Sequence, residues 1–208
     1  MRKLMAVLLL ICVLTGAAAA ENFGQSYRHF NALYAENIVF INENTGRHLL
    51  PHTPVREYDS QSRRLYRISG GALDTVIYLD EMDEQIASCQ ITLTAPANMR
   101  YGDATYNNFT TAGYHSYALI MAMDQSATAY ERYALVTMIN EGLAANGGTF
   151  ETQVGDYRLT CTNLNGAAVM RFENELLLPH EAITPCDDDV PEEEGGEENT
   201  EDEDEFLG

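Results

Sequence analysis

Apolar positions at Phe23, Tyr27, Phe30 and Tyr34 recur at spacings of three and four, which predicts an amphipathic helix over residues 23–36. A short β-rich run, Ile38 to Ile41, follows it, and residues 42–62 read as irregular chain punctuated by Gly46, Pro51 and Pro54. The pattern then changes to a period of two. Residues 65–69 lead through Gly70-Gly71 into a strand in which Leu73, Thr75, Ile77 and Leu79 alternate with Asp74, Val76, Tyr78 and Asp80. After an acidic turn at 81–84, Ala87, Cys89, Ile91, Leu93 and Ala95 share one face of the next strand, against Ser88, Gln90, Thr92 and Thr94. Such alternation belongs to an antiparallel sheet with one solvated side.

Helical spacing returns in two further segments. Phe109, Ala112, Tyr117, Ile120 and Met121 predict a helix over residues 107–123, and Ala134, Leu135, Met138, Ile139 and Leu143 predict another over 129–145. Thr128 and Glu131 have the spacing of a capping box, and Asn146-Gly147-Gly148 supplies a stop. Three strands, 149–154, 157–163 and 167–173, close the pattern, with Gly155-Asp156 and Asn165-Gly166 at the turns. The expected fold is α+β, an antiparallel sheet of about six or seven strands with an N-terminal helix and a central helical hairpin packed on one face.

The ends of the chain differ from this body. Residues 1–20 carry Arg2 and Lys3, an apolar run and Ala18-Ala19-Ala20, which reads as a secretory leader cleaved after Ala20. The apolar run is short for a bilayer span, so no stable membrane insertion is expected after cleavage. Residues 181–208 read as a disordered acidic tail, because dense like charges repel and too few apolar groups offset chain entropy. Residues 21–180 are one domain's worth of chain.

Charge removes whole chemistries. The sequence has 12 Lys and Arg against 32 Asp and Glu, a formal charge of −20, and its one lysine, Lys3, lies in the leader. A lysine-free chain offers no phosphate-loop lysine and no Schiff base, and the acidic balance excludes nucleic acid as a partner. Among the histidines His29, His48, His52, His115 and His180, only His48 and His52 have a ligand-like spacing, and Pro51 between them prevents a helix. They read as surface loop histidines, and His115 as a packed residue of its helix. No metal framework, cofactor motif or catalytic group is predicted; at most, divalent cations associate weakly and without specificity with the tail.

Two groups of residues remain as candidates. Tyr114, Tyr117, Tyr130 and Tyr133 in the helical hairpin could form a recognition surface, since tyrosine joins an apolar ring to a polar tip. Cys89 and Cys161, both placed on inward strand faces, are a possible disulfide, with Cys186 left over beside the tail. Function is expected to be that of a secreted or periplasmic, non-catalytic binding or regulatory protein, its partner an unknown protein or small ligand. The alternatives are a carrier of a small apolar ligand in a cavity between sheet and helices and, third, a secreted hydrolase.

Overall fold

A computed structural model describes residues 24–80 and 84–178. The leader, the acidic tail, most of the acidic turn, Cys12, Cys186 and His180 lie outside the described residues. Three helices and seven strands follow one another as α1 (Tyr27–Thr45), β1 (Val55–Tyr58), β2 (Arg64–Gly70), β3 (Leu73–Leu79), β4 (Ile86–Thr94), α2 (Ala104–Met123), α3 (Ala129–Ala145), β5 (Thr149–Val154), β6 (Tyr157–Leu164) and β7 (Ala167–Glu173). The strands form one antiparallel sheet in the order β1-β2-β3-β4-β7-β6-β5. Two meanders thus meet where β4 pairs with β7, and the helices between them pack on one face. The fold is α+β.

Pairing register explains which side chains enter the core. Ile77 lies opposite Cys89, Cys89 opposite Phe172, and Phe172 opposite Leu159, so one row crosses four strands on the helix-facing side. All four are fully buried. The other face carries Arg67, Asp74, Gln90, Arg171, Arg158 and Glu173, which pair with one another across strands. At the β6–β7 turn, Asn165 and Gly166 both have positive φ, 52° and 81°, as a tight hairpin whose twist matches its strands requires.

The structure departs from the sequence pattern in three places. First, α1 does not stop before Ile38. Ile38 and Ile41 continue the stripe of Phe30 and Tyr34 into the core, and that burial outweighs the strand preference of β-branched residues. The helix ends only at Gly46, which takes the left-handed conformation with φ 67°. Second, the stretch read as irregular contains β1, a short edge strand with too few apolar residues to register as one. Third, α3 is rotated from its expected phase. Its buried residues are Arg132, Leu135, Val136 and Ile139, whereas Ala134 is exposed, Met138 is 39% exposed and Leu143 is only partly buried. The Thr128–Glu131 capping box forms as the spacing predicts.

That rotation follows from Arg132. Its side chain is 2% exposed, pairs with Glu36 of α1 at 2.6 Å, donates from Nε to Asn37 Oδ1 at 3.1 Å, and donates to the Ser126 carbonyl at 3.1 Å. Asn37 in turn donates to the Ala118 carbonyl of α2 at 3.1 Å. A cation can be buried only when its donors are satisfied, and here all three helices contribute acceptors or their partners.

The Cys89–Cys161 bridge is not formed: both thiols are free and buried. Cys89 lies on β4 and Cys161 on β6, with β7 between them, because Cys89 pairs with Phe172 and Cys161 with Met170. Two strand spacings separate backbones by about 9–10 Å, beyond the roughly 7 Å reach of a disulfide. Burial raises both thiol pKa values, that of Cys161 to about 12, which disfavours the thiolate.

Replacing Arg132 by methionine should lower the unfolding free energy by about 2–4 kcal/mol, because Asn37 Oδ1 and the Ser126 carbonyl lose their buried donor. Glu141→Ala, on the exposed side of the same helix, should change it by less than about 0.5 kcal/mol. Urea titration of the two variants distinguishes these outcomes.

Candidate functional site

Three ionisable side chains, Tyr34, His52 and His115, converge where α1, α2 and the chain leading to β1 meet. Tyr34 projects from the buried stripe of α1, and His115 from α2, where it is 2% exposed. The Tyr34 hydroxyl lies 2.9 Å from His115 Nδ1 and accepts the backbone N–H of His52 at 3.1 Å. The rings of His52 and His115 stack with centroids 4.0 Å apart and planes tilted by 34°. The His52 ring also packs against Gly70 of β2, where a β-carbon would approach its Cε1 and Nε2 to 3.0 Å. Glycine at that point makes room for the imidazole.

His115 therefore is the packed, hydrogen-bonded helix residue that its position predicts. His52 is not a free surface histidine. Its contacts run to three elements distant in sequence, and nothing in the local pattern around Pro51 announces them. His48 is exposed and takes no part.

Burial fixes the chemistry of this group. The Tyr34 hydroxyl has one proton, and its oxygen already accepts from His52. Donating that proton to His115 Nδ1 satisfies both partners, which makes His115 the neutral tautomer protonated on Nε2. Burial, with His52 adding to it, lowers the His115 pKa to about 4, and burial lowers that of His52 too. Burial raises the Tyr34 pKa to about 12, opposed by the His52 N–H. Burial thus favours the neutral form of all three groups. Neither of the two clefts described below is lined by any of them.

The described clefts carry little more. One, about 590 Å³, is lined by Arg63, Arg64, Tyr78, Ser88 and three leucines, Leu176, Leu177 and Leu178, among others. Asp80 is the one carboxylate among its described lining residues, and its Oδ1 accepts the Gln85 N–H at 2.9 Å. A second cleft, about 440 Å³, lies at the rim between the β2–β3 turn and the first turns of α2, beside Leu73 and Phe109. Further inside, Ile77, Ile91, Leu119 and Phe172 are fully buried between sheet and helices. Among the described residues no group of three or more His, Cys, Asp or Glu could hold a metal ion.

The four tyrosines divide into two pairs. Tyr114 and Tyr117 are partly buried against the core, and Arg47 sits over the Tyr114 ring at 4.5 Å. Tyr130 and Tyr133 stand on the outward face of α3, 77% and 44% exposed. Tyr133 approaches Phe40 of α1, with ring centroids 6.3 Å apart. Phe40 was absent from the sequence candidates because the segment holding it read as a strand.

Tyr34→Phe leaves the His52 N–H and His115 Nδ1 without a partner in a buried setting, and should cost about 1–3 kcal/mol. Unfolding by urea at pH 7.5, with both imidazoles neutral, measures it. Comparison of the chain with protein-family models, with curated proteins and with solved structures finds no match, so its function has to be read from these surfaces alone.

Proposed function

We propose that the chain is an exported, non-catalytic protein that binds another macromolecule through an aromatic patch on α1 and α3. One observation carries this reading: Tyr130, Tyr133 and Met138 of α3 are 77%, 44% and 39% exposed, and Tyr133 approaches Phe40 across the α1–α3 seam. Large rings held on rigid helices lose little entropy on contact and supply much apolar area, which is why tyrosine dominates interface hot spots. The capping box fixes the start of α3, and Arg132 on its inner side anchors the helix, so the patch is presented on an ordered element. Tyr114 and Tyr117, spent on the core, are not part of it.

Two further features support binding over the alternatives. Ile77, Ile91, Leu119 and Phe172, fully buried between sheet and helices, count against a carrier of apolar ligands, and neither cleft described above brings a histidine to a carboxylate. Opposite the helices, the arginines of the open sheet face are already laid on partners, such as Arg67 on Asp74 and Glu57 and Arg171 on Gln90. That face is a less favourable surface to desolvate. Export rests on the leader pattern of residues 1–20. Among the described residues no helix is long and apolar enough to cross a membrane.

A photo-crosslinking residue at Thr137, on the exposed side of α3, should capture a discrete partner in cells of the source organism, and Tyr130→Ala with Tyr133→Ala should abolish the adduct. The same probe at Gln90 on the open sheet face serves as the control. An adduct formed only from Gln90, or one at Thr137 that survives loss of both tyrosines, would overturn the assignment.

A further inference from the structure

We propose that the stacked His52–His115 pair is a pH-sensitive latch, holding the strap of residues 47–58 against α1, α2 and β2 at neutral pH and releasing it when the rings take up protons. The strap comprises the chain leaving α1 and the edge strand β1. Beyond Leu49, which packs partly buried against the core, it buries little apolar surface of its own: Leu50 is 81% exposed, Val55 58% and Tyr58 61%. What holds it is a set of specific contacts. Asn42 exchanges two hydrogen bonds with the backbone of Leu49, at 2.8 and 2.9 Å. Arg47 covers Tyr114, β1 pairs with β2, and Glu57 meets Arg67 at 3.1 Å. The tie that reaches furthest into the molecule is His52, through its N–H to Tyr34 and its ring to His115 and Gly70. Segments with few buried apolar contacts open first, so the strap is the part whose attachment one interaction can govern.

Protonation acts on that interaction in two ways. A proton on His115 Nδ1 turns an acceptor into a donor facing the Tyr34 oxygen, which already accepts from His52. The tyrosine hydroxyl proton is then left without an acceptor at a residue that is fully buried. A second proton, on His52, sets two cations about 4 Å apart in a poorly solvated place. The groups that surround the pair give no relief. Tyr34 faces it from α1, β2 presents Gly70, and the nearby charged group of the strap is Arg47, itself a cation over Tyr114 of α2. No carboxylate is bonded to either ring among the described residues.

The sign follows from linkage. Both imidazoles titrate lower in the closed form than the ordinary value near 6.5 that they recover on release. The open form therefore binds more protons, and the latch holds fully above pH 6.5 and weakens as pH falls from there towards about 4. Between those limits the open population should rise about tenfold per pH unit for each ring that titrates.

Hydrogen exchange of the full exported chain, corrected for the intrinsic pH dependence of exchange, reads this directly. Between pH 7.5 and 5, protection of strap amides from Leu49 to Tyr58 should fall about tenfold or more per pH unit below 6.5, while that of Cys89 and Ile91 in β4 stays constant. In His52→Gln the fall should be reduced, and in His52→Gln with His115→Gln it should vanish. His52 lies at the edge of the core, so its single variant carries the test if the double variant does not fold. Strap protection that is flat with pH, a fall that is unchanged in His52→Gln, or a fall shared by β4 would overturn the latch.

Discussion

One buried cation sets the arrangement of the helical layer. Arg132 brings a charge into a region where it must find acceptors, and it finds them on α1 at Glu36 and Asn37 and in the α2–α3 link at Ser126. Asn37 passes the connection to α2 at Ala118. Apolar contacts among Leu33, Ile38, Leu119, Leu135 and Ile139 supply the bulk of the driving force but tolerate sliding and rotation. Hydrogen bonds of about 3 Å to a planar guanidinium do not. The phase of α3, and with it the outward placement of Tyr130, Tyr133 and Met138, follows from the direction in which Arg132 points.

A second polar junction fastens that layer to the sheet. The Tyr157 hydroxyl on β6 accepts the Gln25 N–H and donates to the Ile86 carbonyl of β4, both at 3.0 Å. Gln25 donates from its side chain to the Ala122 carbonyl near the end of α2, also at 3.0 Å. Four distant parts of the chain meet in one buried group, while Gly142 of α3 lets the Phe150 ring of β5 lie directly on the helix backbone. The helices thus have two fixed attachments to the sheet, whereas the strap of residues 47–58 reaches the interior through His52.

How much of this was legible in the sequence depended on how local its cause was. The capping box at Thr128 and Glu131, the Asn165-Gly166 turn and the alternation through β3 and β4 each arise from neighbours in sequence, and each appears as read. Ile38 and Ile41 look like a strand by residue type and become helix because both extend a buried stripe. Arg132 looks like a solvent residue and Met138 like a core residue; their exchange depends on Glu36 and Asn37, nearly a hundred positions away. Cys89 and Cys161 do share an inward face, but only the strand order places β7 between them. Tyr130 and Tyr133 were legible as candidates, whereas Phe40 beside them and the His52–His115 pair come together only through tertiary structure.

The account rests on the guanidinium of Arg132 and the amide of Asn37 acting as one unit that orders three helices. A double-mutant cycle with Asn37→Leu and Arg132→Met, followed by urea unfolding at pH 7.5, measures that coupling without assigning either residue a separate worth. The account predicts that the two single losses together exceed the loss in the double variant by about 1–3 kcal/mol. Additivity to within about 0.5 kcal/mol would contradict it, and would mean that the helices are set by apolar packing alone.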